Sequence, residues 1–360
     1  MSDAIRSFLR EHGAAAVGAT PPQPTLPPTD ESDADKPGPE TVDLAVECDP
    51  ADWAAIPVGE APTRPGEAPV RFIDGSHTGQ PVLCIWSPQG CPIPLVLSEI
   101  GAVALRLKGR TFHREFATVE RVLSFVADPF PWEEVEAFSQ AMANDPRFAV
   151  QVLPAQRPAT GMHPYDYEAA RSVAYNTAQH AMRHLERLAL AVDRSLPTLV
   201  DGPLDDVIGN PPADSPLLIG VVKLQAAAYL HDAGWRVLLR LKPGQRTPVF
   251  RIARPGSPVV ATWYLKLAGG PRLAPNWGHV RVEIPWGQFT EQFGRDFGFV
   301  GRLSRWLIDA RCRVESYARM PVSLDPIVRA EDVLKPLFTP FPVLANRLYR
   351  AAGLFRGDEG

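Results

Sequence analysis

Two aspartates stand out by where they fall. Asp74 closes the apolar run Val70-Arg71-Phe72-Ile73, Asp201 closes Thr198-Leu199-Val200, and a glycine follows each, Gly75 and Gly202. A charged carboxylate at the end of a buried strand needs a cation or several donors to offset its desolvation. Two such groups side by side repel one another and shift each other's pKa. A divalent metal between them relieves both effects, and paired ions can hold the attacking and leaving oxygens of a phosphoryl displacement. Oxygen-only ligand sets suit Mg²⁺ or Mn²⁺. Singly, each Asp-Gly is an ordinary turn former. Their repetition after two apolar strands, with a long helical segment between, points toward a metal site.

The elements that must position these carboxylates follow from pattern. Val70–Ile73 reads as a buried strand ending at Asp74-Gly75-Ser76, with further strands at Val82–Trp86 and over Pro94–Leu107, the last with a bend or bulge at Ile100-Gly101. Residues 132–144 read as a helix with Pro131 just ahead, and Tyr167 to Val192 as a long one that Pro197 closes off. After the strand at 198–200, strands are expected at Trp235–Leu241, Val249–Ile252, Thr262–Leu267 and Val280–Ile284. Helices follow over about 287–310 and 326–336. Strands alternating with helices make this an α/β chain.

The ends differ from the middle. Residues 1–17 can form one short helix with Ile5, Phe8 and Leu9 on one face. From about 18 to 68 the chain is rich in proline and acid and is expected to be disordered or loosely attached, with Trp53 and Ile56 as anchors. This gives an acidic Pro-rich arm over 1–68, a catalytic domain over 69–340, and a C-terminal amphipathic helix and tail over 341–360.

The net charge of −4 conceals an asymmetry. Residues 1–70 hold thirteen acidic and four basic side chains, whereas Lys223 to Arg281 holds ten basic and one acidic. Arg236, Arg240, Lys242, Arg246, Arg251 and Arg254 are candidates to pair with DNA phosphates, and Trp235, Trp263 and Tyr264 to stack on bases. The acidic arm, on this reading, mimics DNA charge and covers the basic face.

With these residues in place, a family resemblance is visible. The segments FIDGS at 72–76, LVDGPL at 199–204, GVVKLQ at 220–225 and VRVEIP at 280–285 resemble, in order, blocks of the NurA nuclease family. PGQRTPVF at 243–250, leading into TWYLKL at 262–267, is similar to bacterial members. The resemblance covers about Val70 to Pro336. It implies a ribonuclease H-like mixed sheet flanked by helices, a homodimer, and Mn²⁺- or Mg²⁺-dependent hydrolysis of DNA with a HerA-type hexameric ATPase in end processing and break repair. It also implies Asp74 and Asp201 as metal ligands and Lys223 as a further catalytic residue, an ammonium fit to hold a phosphate. A glutamate on the preceding helix completes the set as Glu186, with Glu168 as the alternative. Where the family has a C-terminal histidine ligand this chain has Glu331, beside Asp332; a carboxylate serves the same metals. That departure keeps open a second reading, a non-catalytic DNA-binding adaptor on the same scaffold.

Other chemistry is weaker. His180 and His184 share a helix face, but no HExxH and no third ligand accompany them. His77 follows the first Asp-Gly-Ser without a defined role. Ser76 as a nucleophile is excluded because GxSxG is absent. Four cysteines, Cys48, Cys84, Cys91 and Cys312, lack disulfide or zinc spacing. No apolar run approaches the roughly 20 residues of a membrane span, and the N-terminus lacks a signal layout, so a cytoplasmic location is expected.

Overall fold

The computed structural model describes residues 3–17, 41–146, 148–158, 162–205, 208–223, 229–269, 274–275, 277–294, 296–314 and 322–354. In chain order its elements are α1 (Asp3–Glu11), β1 (Ala15–Ala16), β2 (Thr41–Asp43), β3 (Ile56–Pro57), β4 (Arg71–Trp86), β5 (Pro92–Lys108), β6 (Thr111–Val126), α2 (Trp132–Ala143), β7 (Gln151–Ala155) and α3 (Tyr167–Val192). There follow β8 (Thr198–Asp201), β9 (Leu218–Val222), α4 (Asp232–Arg240), β10 (Gln245–Arg246), β11 (Phe250–Ala253), β12 (Val260–Lys266), β13 (His279–Pro285), α5 (Trp286–Gln292), α6 (Phe297–Asp309), α7 (Asp325–Leu334) and α8 (Phe341–Ala352).

One mixed sheet runs β2-β11-β12-β13-β9-β8-β4-β5-β6-β7. Its centre is a meander of three long antiparallel strands, β4, β5 and β6, to which β8 and then β9 add in parallel on the β4 side. The mixed α/β arrangement agrees with the expected mixed sheet flanked by helices. A parallel neighbour requires a crossover, and α3, between β7 and β8, returns the chain so that β8 lies parallel to β4. Asp166 caps α3, its side chain accepting from the Ala169 amide at 2.9 Å.

Side chains alternate across a strand, so β4 sends its residues to two different cores. Ile73 packs with Ala178, Met182 and Leu185 of α3. Phe72 packs with Phe289 of α5 and Phe299, Leu303 and Leu307 of α6. Beside Phe72, α7 lays Ala330 and Leu334 over Val103 and Leu105 of β5. A further core joins the first and last helices, Ile5, Phe8 and Leu9 meeting Leu344, Ala345 and Leu348.

Several elements differ from expectation. The strand through Asp74 does not end there: β4 continues to Trp86, with one register shift between Pro81 and Leu83. Ile100-Gly101 carries no bulge; a Cβ at Gly101 would lie 2.8 Å from the Thr118 carbonyl and 3.1 Å from Leu334, so glycine is there for close packing. The segment 235–241 is not a strand. Burial falls on Gly234, Leu238 and Leu241, a helical spacing, and a short apolar run alone cannot distinguish the two. The helix expected over 287–310 divides into α5 and α6 around Gly294, whose φ is 55°, and Asp296, which caps the second. Strands β6 and β7 had no counterpart in the sequence reading.

The acidic arm is the largest departure. Residues 18–40 lie outside the described residues, as do Leu224 and Gln225 of one motif and the tail at 355–360. Residues 41–68, expected to be loose, are part of the sheet and its ion pairs. β2 extends the sheet beside β11, and β3 pairs with β10. Glu47 accepts two bonds of 2.7 Å from the Arg246 guanidinium and one of 2.7 Å from the Val249 amide. Composition failed here because a few well-placed acids, tied to buried arginines, replace the apolar area that the segment lacks. Among the described residues no helix is long and apolar enough to cross a membrane.

Glu47→Ala strands a guanidinium that is only 3% exposed. The expected cost is about 3–5 kcal/mol of unfolding free energy by urea titration. A loss below about 1 kcal/mol would mean the strap is not fastened there.

Candidate metal centre

The register of the sheet brings the two aspartates together. β4 and β8 run parallel with Arg71 beside Thr198, Phe72 beside Leu199 and Ile73 beside Val200. One step further are Asp74 and Asp201, at the point where β8 ends and β4 goes on without it, still paired with β5. In-register neighbours on parallel strands lie about 4.8 Å apart and point to the same face. The carboxylates therefore meet at the mouth of a fork between two strands.

Each glycine after an aspartate has a steric reason to be there. A Cβ on Gly75 would stand 2.5 Å from Oε1 of Glu186 and 2.9 Å from the Met182 sulfur. Gly75 thus leaves room for the α3 carboxylate to approach from the face opposite Asp74. Gly202 adopts φ 126°, and a Cβ there would lie 3.1 Å from a guanidinium nitrogen of Arg183. Neither is a simple turn glycine.

Burial sets the electrostatics. Asp74 is 4% exposed and Glu186 1% exposed. Burial, with the adjacent charge of Asp201, holds the Asp74 carboxyl well above the usual carboxylate range; Lys223 opposes this, and Glu331 and Glu186 add to it. All four candidate carboxylates thus act on one point. Glu186 is pushed up to about 7, chiefly by burial, against the opposing pull of Arg183.

Three of the four carboxylates are bonded to cations. Lys223 Nζ donates to Asp201 Oδ2 at 2.7 Å, and Lys335 Nζ to Glu331 Oε2 at 2.7 Å. Arg183 is the hub of the third. It donates to Glu186, to Asp205 Oδ2 at 2.9 Å and to the Pro203 carbonyl, tying α3 to the loop that follows Asp201. That same loop is pinned from below by Glu283, which accepts from the Leu204 amide at 2.8 Å and from Arg254 and Arg281. Burial alone would raise the Glu283 pKa; the two arginines outweigh it and hold it lowered. Asp74 differs from the others: its Oδ2 is buried with no hydrogen-bond partner.

That orphaned oxygen and an all-carboxylate surround suit a hard divalent cation. Yet among the described residues no three His, Cys, Asp or Glu side chains are gathered into a set able to hold an ion. Asp201 and Glu331 are held by Lys223 and Lys335 in the structure as it stands.

Of the alternatives, Glu168 lies in the first turn of α3, exposed and bonded to Arg171. It sits 18 residues from Glu186 along one helix, about 27 Å away. Asp332 is exposed beside Arg329. Sequence reasoning did not single out Arg183 or Asp205 as part of this site. The i, i+3 spacing of Arg183 and Glu186 was visible, but their burial was not. His77 lies two residues beyond Gly75 on the same strand, bonded to Gln179 at 3.1 Å and Ser98 at 2.9 Å, its pKa lowered to about 4 by burial. His180 and His184 stand edge to face at 5.0 Å on the exposed side of α3.

The expected DNA-binding set divides. Arg246 and Arg254 are not surface groups: both are buried, committed to Glu47 and Glu283. Trp263 and Tyr264 are likewise core, and Trp263 Nε1 donates to Ser304 at 3.0 Å. These side chains come from sheet-interior positions, where a charge persists only when paired. Arg251 is shared between Asp43 at 3.3 Å and the ring of Trp286 at 5.3 Å. Arg236, Arg240 and Lys242 remain exposed, on α4 and just beyond it.

Two stability tests follow. Gly75→Ala drives a methyl into Glu186 and costs about 1–3 kcal/mol; wild-type stability would refute the close approach. Asp74→Asn acts in the other direction. A carboxyl whose folded pKa is raised destabilises the fold as pH climbs from its unfolded value near 4 through the folded one. The variant should therefore melt above wild type at pH 8, with the gain shrinking toward pH 4. A lower Tm at pH 8 would contradict the buried, unpartnered charge.

No protein-family model matches the chain, and no curated protein matches it. Among solved structures, it is similar to the crystal structure of the NurA nuclease from Sulfolobus solfataricus, with 13% identity, coverage of 83% of this chain and 88% of that chain, and a TM-score of 0.43.

Proposed function

We propose that this chain is a metal-dependent nuclease that hydrolyses phosphodiester bonds in DNA at the β4–β8 fork. The observation that supports this best is Asp74, a buried carboxylate with an unpartnered oxygen facing the field of three other carboxylates. At the buried position of Asp74 a neutral side chain would avoid the desolvation cost of an unpartnered carboxylate. A buried carboxyl shifted by its burial and by neighbouring carboxylates is characteristic of functional sites.

Asp74 and Asp201 are the residues that would hold Mn²⁺ or Mg²⁺, with Glu186 and Glu331 completing the set. When bound, the ion supplies Lewis-acid polarisation of the phosphoryl oxygens. The protein's own residues do the rest. Gly75 and Gly202 admit Glu186 and Arg183 to the fork. Arg183 fixes the Glu186 carboxylate and ties it to the loop after Asp201. Lys223, released from Asp201, offers an ammonium to a non-bridging phosphate oxygen. The resemblance in sequence adds expectations that the fork does not bear on: a homodimer, a HerA-type hexameric ATPase as partner, and a role in DNA end processing during double-strand break repair.

One observation favours the second reading, a DNA-binding adaptor without catalysis. Asp201, Glu186 and Glu331 already have cationic partners in this chain. A single experiment separates the two. Purified protein is incubated with single- and double-stranded DNA over a series of divalent metals, beside Asp74→Asn and Asp201→Asn. The nuclease reading expects Mn²⁺-stimulated degradation that either variant lowers by more than about 100-fold, since loss of outer-shell partners of a metal site already costs 10–100-fold. Undiminished cleavage by folded Asp74→Asn would falsify the assignment. DNA binding by wild type with no metal-stimulated cleavage would favour the adaptor.

A further inference from the structure

A dense run of exposed positive charge lies at the end of the β5–β6 hairpin, outside the basic stretch that sequence reading emphasised. Residues 106–114 read RLKGRTFHR: four cations, one histidine and no acid. The ladder closes at Lys108 beside Thr111, leaving Gly109 and Arg110 as a two-residue turn. Gly109 takes φ 62°, the first corner that such a turn reserves for glycine. Lys108, Arg110, His113 and Arg114 are all exposed.

Several long cations elsewhere in this fold are consumed internally. Arg121, Arg157, Arg246, Arg254 and Arg302 each end on a carboxylate. At the hairpin only Arg106 does so, reaching Glu115 and Asp193 at 3.6 and 4.0 Å. Among the described residues, Lys108, Arg110 and Arg114 have no acidic partner. A turn carrying several like charges without counter-charge sets up a standing field for an anionic polymer.

The base of the hairpin is rigid, so that field is held in a fixed place. Phe112 packs edge-on against Phe72 at 5.9 Å, and Phe72 stacks on Trp306 of α6 at 6.1 Å. Arg71, buried in β4, donates to Glu115 of β6 at 2.9 Å and to carbonyls at the end of α3. Position follows from register. Arg114 pairs with Leu105, and Leu105 with Phe72, so Arg114 and Phe72 share a face. Asp74 is two residues along β4 on that same face. Two strands across and one pleat repeat along separate their backbones by about 12 Å, the reach of a few nucleotides.

We propose that the β5–β6 tip is a phosphate-binding finger, with Lys108, Arg110 and Arg114 gripping the backbone of DNA that enters the carboxylate fork. The identity of the occupant rests on the nuclease reading above, but the grip itself is measured without cleavage. In EDTA, binding of labelled single- and double-stranded 30-mers to the full chain is followed by anisotropy across a salt series. The variant Lys108→Gln/Arg110→Gln/Arg114→Gln is compared with wild type and with Arg6→Gln/Arg10→Gln/Arg347→Gln, which removes the same charge from the terminal helices. Unchanged Tm checks that each folds, as expected for surface substitutions.

The expected result is a loss of affinity of at least about tenfold beyond the control variant. The slope of log K against log salt should also fall by up to about 3, one unit per lost phosphate contact. Equal losses in both variants, or none, overturn the finger and leave the nuclease reading intact. Wild type that binds neither DNA overturns that reading, and the finger with it. Loss confined to anionic phosphatidylserine vesicles, with DNA affinity unchanged, also overturns it and indicates a membrane surface instead.

Discussion

The structure turns on the desolvation of one carboxylate. Asp74 is carried into the protein on the central strand of the sheet, and its position is fixed by neighbours that have nothing to do with its charge: Ile73 locked against α3, Phe72 locked against α6. A side chain so held cannot swing to water. Its cost must be met by what the fold brings to it, and the fold brings more carboxylates. Lys223 opposes this, drawing the pKa of Asp74 down. A protein under pressure for stability alone would not retain that arrangement, because burying an unpaired charge is among the most expensive things a core can do.

Around that point the remainder of the polar interior is arranged to hold the fork open. The loop after Asp201 is clamped on one side by Arg183 and on the other by Glu283 with Arg254 and Arg281. These are charged groups, but their geometry is that of fasteners: buried and multiply bonded. They explain why a stretch so rich in arginine presents so little of that charge to solvent. Net charge along a segment describes what it carries and says nothing about which face receives it. Here the same chain spends arginines inward at the fork and outward at a hairpin tip, and only burial separates the two uses.

The arm offers the reverse lesson. Low apolar content argued for a loose segment over 18–68, yet residues 41–57 lie along the sheet edge by backbone pairing and by one bidentate ion pair, Glu47 with Arg246. Edge strands offer unpaired backbone groups whatever the side chains are, and an acid two hundred residues away from its arginine is invisible to any local pattern. Charge complementarity between arm and body was anticipated; that it would be buried and structural was not.

What the sequence determined by itself were the local quantities: the strands around Asp74 and Asp201, the long helix between them, the α/β alternation, and the choice of aspartate followed by glycine at both places. These are legible because period, cap and turn chemistry act over a few residues. Tertiary structure alone decided that the two aspartates sit one step beyond a parallel register, that Gly75 is a gap for Glu186 and not a turn, that 232–240 winds as a helix, and that Arg246 and Arg254 point inward. Each of these depends on contacts between segments far apart in the chain, whose energies no local pattern encodes.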